Sequence, residues 1–206
     1  MILDRPKALN ALTHGMIGAI AAALRDWASD DGVRAVAIRG EGDRAFCAGG
    51  DIRAVREAVL AGSGDGARLL ADEYRMNALI GAYPKPYVAL IHGICMGGGL
   101  GLAAACDIRL CADDAIFRMP ATRLGNAYTT SGIERIMSLI GPGNTADLFY
   151  SARKFGADEA LRMGLAQQVF PAVEFAAQAA AYCATVAENA PLAITAAKLG
   201  IRELLK

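Results

Sequence analysis

An α/β fold with a helical C-terminal region is predicted by three features of this 206-residue sequence. Strand-like runs alternate with helical ones through the first part of the chain, two of those runs end in glycine turns that open helices, and from Thr129 onward the pattern is mostly helical. The length is expected to give one compact domain that needs neither disulfide nor metal support.

The elements follow in order. Thr13 is placed to cap a helix running to about Trp27, and Val33 to Arg39 reads as a strand ending at Gly40. After the turn Ala48-Gly49-Gly50, a helix starts at Asp51, and the Gly62–Gly66 stretch forms a flexible loop. A helix from Ala67 to about Ala82 stops before Pro84-Lys85-Pro86. Tyr87-Val88-Ala89-Leu90-Ile91 reads as a buried strand, and Gly97-Gly98-Gly99 leads into a short apolar helix. Asp107 to Cys111 and Ala115 to Met119 are two further strands. Ser131 and Glu134 have capping-box spacing, Asp158 is placed to cap Glu159 to Met163, and Ala172–Glu188 and Leu192–Leu205 are Ala-rich helices.

Bulk composition excludes several classes. Lys plus Arg and Asp plus Glu are both 21, so no net field attracts nucleic acid or an anionic membrane. Five cysteines without a C-x-x-C pair suit reduced thiols in a cytoplasm. With His14 and His92 as the only histidines, no metal site is expected, and His92 reads as a hydrogen-bonded core residue. The N-terminus lacks the order of a secretory signal. The uncharged run Tyr87 to Ala105 has the length of a membrane span of about 20 residues, but its five glycines favour a strand followed by a turn.

The two glycine turns carry the chemistry. Each follows a strand and opens a helix, where the first N–H groups lack intrahelical partners and can hold an oxyanion. Taken singly, either is a tight turn that needs glycine for its geometry. A rival reading takes Gly99-Leu100-Gly101-Leu102-Ala103-Ala104 as a dinucleotide fingerprint, but the next strand arrives too soon for the crossover helix and its acidic residue about 20 positions on.

Read together, Arg5-Pro6-Lys7-Ala8-Leu9-Asn10-Ala11-Leu12 and Ala45-Phe46-Cys47-Ala48-Gly49-Gly50-Asp51-Ile52 resemble the opening motifs of the enoyl-CoA hydratase/isomerase (crotonase) family. Lys85-Pro86, His92-Gly93, Met96-Gly97-Gly98-Gly99, Cys106-Asp107-Ile108 and the stretch from Gly156 to Phe170 follow in the family's order. The resemblance implies a spiral of ββα units over about 1–170, with the start of a helical C-terminal region over about 171–206, and a homotrimer or dimer of trimers. It implies an acyl-CoA substrate, with coenzyme A as part of the thioester and no tightly bound cofactor. The oxyanion donors would be the N–H groups of Gly50 and Gly98. The coenzyme A contacts would fall on Lys7, Ala8, Leu9, Ala48, Gly49, Asp51 and Ile52, with Arg53 either reaching a phosphate or solvated. Tyr74, Met96, Gly97, Gly101, Pro120, Ala121, Leu124 and Gly125 would line the substrate pocket.

Against that pattern, Gly101 and Ala121 stand where the family carries two glutamates that position water and move its proton. Tyr128, Thr129, Glu134, Asp51 and Tyr74 are the candidate replacements, with Tyr128 first; Glu134 and Asp51 are also explained as helix caps. By the same comparison the sequence starts near the end of the family's first strand and stops before its full set of C-terminal helices. The resemblance thus points to an acyl-CoA lyase or isomerase. A non-catalytic CoA-ester-binding protein is the alternative, and an NAD(P)-dependent oxidoreductase a more distant one.

Overall fold

The computed structural model describes residues 1–205. Its described residues form two sheets, between which the middle of the chain alternates. The first sheet takes β1 (Ile2–Leu3), β2 (Val36–Gly40), β4 (Tyr87–Ile91), β6 (Ile108–Ala112) and β9 (Gln168–Phe170), in that spatial order and all parallel. The second takes β3 (Ala45–Cys47), β5 (Ile94–Met96), β7 (Ile116–Arg118) and β8 (Phe155–Gly156), parallel except for the β7–β8 pair. From β2 to β7 each pass lays one strand in each sheet and then runs into helix, which is the expected ββα spiral; β1 is followed by a helix alone, and β8 and β9 flank one.

Helices α1 (His14–Ala28), α2 (Ile52–Leu60), α3 (Asp65–Ala82) and α4 (Gly98–Ala105) follow the sequence reading closely. Thr13 caps α1 by accepting from the Met16 N–H at 3.3 Å. Tyr87 to Ala89 and Ile91 are fully buried, as a parallel strand covered on both faces requires. Among the described residues no helix is long and apolar enough to cross a membrane.

Later expectations need correction. Helix α5 (Thr130–Ser151) is capped by Thr129, whose hydroxyl accepts from the Gly132 N–H at 3.2 Å. The Ser131–Glu134 capping box therefore does not form: both residues lie inside the helix, and Ser131 donates to the Thr129 hydroxyl instead. Gly141, at φ 74° and followed by Pro142, kinks α5, because the ring of proline clashes with the preceding turn. Helix α6 (Ala157–Arg162) starts one residue before Asp158, which becomes a first-turn acid rather than a cap. The chain closes with α7 (Phe175–Glu188) and α8 (Pro191–Leu204), both beginning within three residues of the expected starts.

Candidate active site

Parallel pairing of β3 with β5 delivers both glycine turns to the same end of the second sheet. The turns touch. A Cβ built on Gly49 would lie 2.9 Å from the Gly98 nitrogen and 3.1 Å from the Met96 carbonyl oxygen, and the φ of +102° there independently demands glycine. Gly97 turns the chain with φ 54° and ψ −123°, and Gly98 is the first residue of α4, so its N–H has no intrahelical acceptor. The parallel bridge between Leu12 and Gly50 uses the N–H groups of Leu12 and Asp51 and leaves that of Gly50 out. At Gly99 the close approach is to the Cys47 backbone, 2.7 Å from its carbonyl carbon, so that glycine serves packing of α4 on β3 rather than an open ligand face.

The segment around residues 5–12 is bound to the first turn. The Ala48 N–H donates to Leu9 O at 3.0 Å, Leu12 N–H to Gly49 O at 2.8 Å, and Asp51 N–H to Leu12 O at 3.0 Å. Lys7 and Ala8 lie in a 3-10 turn just before, and Leu9 and Asn10 adopt φ values of 51° and 55°. The fully buried Asn10 amide holds this bend by donating to Ala45 O at 2.7 Å and Glu41 O at 3.0 Å and accepting from the Arg5 N–H. Asp51 caps α2 through the Ala54 N–H and pairs with Arg5 at 3.1 Å. Partial burial pushes its carboxyl up, but the Ala54 N–H and the Arg5 guanidinium outweigh this and hold it below the usual range. A paired cap of this kind is a poor proton acceptor. Lys7, Ile52 and Arg53 are exposed beside this bend.

A cavity of about 180 Å³ opens beside the touching turns. Of the expected pocket residues, Tyr74, Gly97, Pro120, Ala121 and Leu124 line it, together with Gly49, Gly50, Gly98 and Tyr128. Gly125 instead ends the 3-10 turn Thr122–Leu124 with φ 71°, and Met96 lies in β5 with its carbonyl toward Gly49. Gly101 lines a second cavity behind the first, and Tyr74 and Tyr128 border both, their rings edge-to-face at 5.8 Å. The Tyr128 hydroxyl fills the place that a Gly101 side chain would take, and a Cβ there would lie 3.5 Å from Asn77 Nδ2. Burial pushes the Tyr128 phenol up, which keeps it neutral and able to donate rather than take a proton. Glu134 is exposed on α5 and lines neither cavity, so it is removed from the candidates.

Glu73 was not anticipated. It is 3% exposed, lines the first cavity, and places its carboxyl against both glycine turns. A Cβ on Gly98 would lie 2.8 Å from Glu73 Cδ, and one on Gly50 3.1 Å from Glu73 Oε2. Burial raises its pKa from 4.5 to about 7. Glu73 Oε2, Asn77 Oδ1 and the Tyr128 hydroxyl are all buried without a hydrogen-bond partner, and so is His92 Nε2, which corrects the expectation of a hydrogen-bonded core histidine. The signal for Glu73 was present in the sequence: it interrupts the apolar stripe Leu69, Met76 and Ile80 of α3, where a carboxylate is out of place.

With this geometry in place, a family model described as enoyl-CoA hydratase/isomerase matches residues 1–200. The chain belongs to this family. It is similar to the mitochondrial 3-hydroxyisobutyryl-CoA hydrolase of Danio rerio, 50% identical over 123 residues, which are 60% of this chain and 32% of that protein. The matched stretch is thus about a third of that relative's length. Carnitinyl-CoA dehydratase of Proteus mirabilis is 35% identical over 200 residues, 96% of this chain and 74% of its own length. The crystal structure of an enoyl-CoA hydratase/carnithine racemase from Magnetospirillum magneticum superposes with a TM-score of 0.93 at 30% identity, covering 100% of this chain and 76% of that one. These matches establish the crotonase fold, with its helical C-terminal region.

Proposed function

We propose that this protein transforms an acyl-CoA thioester, holding the carbonyl oxygen with the N–H groups of Gly50 and Gly98 as negative charge develops there. The observation that carries this reading is the contact between the two glycine turns, with both N–H groups free of the bonds that occupy their neighbours. Donors fixed at a developing oxyanion are worth about 2.7–4 kcal/mol of barrier each. The cavity beside them is below the roughly 300–1,000 Å³ of a site that encloses a whole small molecule. It suits the acyl end of a longer substrate.

Support for the coenzyme A portion comes from Lys7, Ala8 and Leu9, which the bonds between Leu9, Leu12 and the first turn bring beside Ala48 and Gly49. Asp51 and Ile52 continue that strip, and Arg53 is an exposed cation beyond it. Coenzyme A enters as part of the substrate, with no tightly bound cofactor. The same reading takes the chain as one domain, assembled as a homotrimer or dimer of trimers in the cytoplasm, where its buried thiols stay reduced.

Ordinary hydration is not expected. Gly101 and Ala121 bring no carboxyl to the cavity, and loss of general acid–base help costs about 100- to 10,000-fold. Calorimetry with crotonoyl-CoA should show binding that free coenzyme A displaces, while loss of the conjugated-enoyl absorbance stays at least about 100-fold slower than with a two-glutamate hydratase. Absence of binding overturns the acyl-CoA reading. Rapid hydration overturns the conclusion drawn from Gly101 and Ala121.

A further inference from the structure

We propose that Glu73 is a catalytic residue that moves the proton on the carbon next to the thioester carbonyl, a role that rests on the oxyanion reading above. The Glu73 carboxyl lies on the side of both donor residues, Gly50 and Gly98, where a Cβ would stand. A carbonyl oxygen held by those two N–H groups places its own carbon, and the carbon next to it, beside this carboxyl.

A purely structural carboxylate does not fit the observations. Buried charges in folded proteins are paired or fully hydrogen-bonded, because an unpaired one costs several kcal/mol. Glu73 is 3% exposed and lines the cavity, yet its buried Oε2 has no partner. Space around it is kept by the absence of side chains at residues 50 and 98. Any side chain at Gly98 would collide with the carboxyl. The glycine at 98 therefore serves two needs, an open N–H and room for Glu73.

The other titratable groups lining this cavity are Tyr74 and Tyr128. Tyr128 is held neutral by burial, so Glu73 is the group able to accept a proton there. The burial that raises Glu73 to about 7 fits a base that must also return its proton near neutral pH.

The step balances within the site. The Glu73 carboxylate takes the proton from the α-carbon; the C–H bonding pair becomes the carbon–carbon double bond of an enolate, and the carbonyl π pair moves onto the oxygen between Gly50 and Gly98. Negative charge thus passes from Glu73 to the oxyanion donors, so the cavity never holds two anions together. Glu73, now protonated, returns the proton to the same carbon or to a conjugated one further along the chain. No water, oxidant or second base is consumed. The substrate class is an acyl-CoA whose chemistry starts at an acidic α-hydrogen, in contrast to addition of water.

The test is exchange of the α-hydrogens of butanoyl-CoA in deuterium oxide, followed by mass spectrometry, with butanoyl-CoA binding measured on the same samples. Wild type should exchange, with the rate rising with pH through about 7. Glu73→Gln should bind within about threefold of wild type but exchange at least about 100-fold more slowly. Glu73→Asp, which keeps the carboxylate on a shorter stem, should restore part of the exchange and the rising pH limb. Wild-type binding without exchange, or exchange by Glu73→Gln within threefold of wild type, overturns the role of Glu73. Failure of wild type to bind butanoyl-CoA overturns the acyl-CoA reading beneath it, and so separates the two failures.

Discussion

Glu73 links stability to pH as well as chemistry. Its carboxyl rises from 4.5 to about 7 on folding, so between those values the folded state binds more protons than the unfolded chain. Stability therefore falls as pH rises through this window. The full penalty, on the order of 3 kcal/mol, is present above it. Glu73→Gln removes the charge and keeps the shape. Urea unfolding at about pH 5 and about pH 8 should show the variant gaining about 3 kcal/mol over wild type at the higher pH relative to the lower. An advantage that does not change with pH would mean that Glu73 is solvated in the folded protein. At this scale the glycines were legible in the sequence, because tight turns leave a local pattern. Glu73 showed only as a carboxylate interrupting the apolar stripe of α3; what its carboxyl meets is decided by residues the fold brings to it, here Gly50 and Gly98 from two other segments.

Helix α4 is the element on which the candidate site depends. At eight residues it is too short to hold itself together, and it presents its N-terminus to the cavity. Its C-terminal end is fixed by two arginines from other elements. Arg109, in β6, donates to Cys106 O at 2.7 Å and Ala103 O at 3.3 Å, and also to Leu165 O at 2.6 Å. Arg135, in α5, donates to Ala104 O at 2.7 Å and Cys106 O at 3.1 Å. Cations at a helix C-terminus complement its partial negative charge. Burial lowers the Arg109 guanidinium to about 10, still charged at neutral pH. Replacing it by leucine strands several buried carbonyls, and a loss of about 3–5 kcal/mol is expected in urea unfolding. Arg109→Lys should recover only part of this, since an ammonium lacks the fork that reaches the end of α4 and Leu165 together. A loss below about 1 kcal/mol for the leucine variant would show that α4 is held by its apolar packing alone. The sequence showed α4 and β6 as an apolar run and a strand. It did not show that a charged strand residue would turn inward to cap the helix before it.

Across the whole molecule, the alternation of strands with helices was legible for a physical reason: parallel strands buried on both faces read as unbroken apolar runs, and glycine turns mark where two of them end. The pairing of β3 with β5 was not, since nothing local states which strands become neighbours. Helix ends after Thr129 were the least legible part. Ser131, Thr129 and Asp158 all offer oxygen atoms, and tertiary packing chose among them.

Dense packing beneath the turns also sets how the chain meets thiol reagents. Cys47, Cys95, Cys106 and Cys111 are fully buried, and burial pushes the thiols of Cys47, Cys106 and Cys111 up to about 12, while Cys183 is half-exposed. Alkylation needs the thiolate and a path to it. Under native conditions iodoacetamide should therefore label Cys183 first, and the other four together at the rate of global unfolding. Early labelling of Cys47 would show that the end of β3 beside the first glycine turn opens by itself. Joint labelling of the four makes native sulfur atoms a clock for the unfolding of the whole chain.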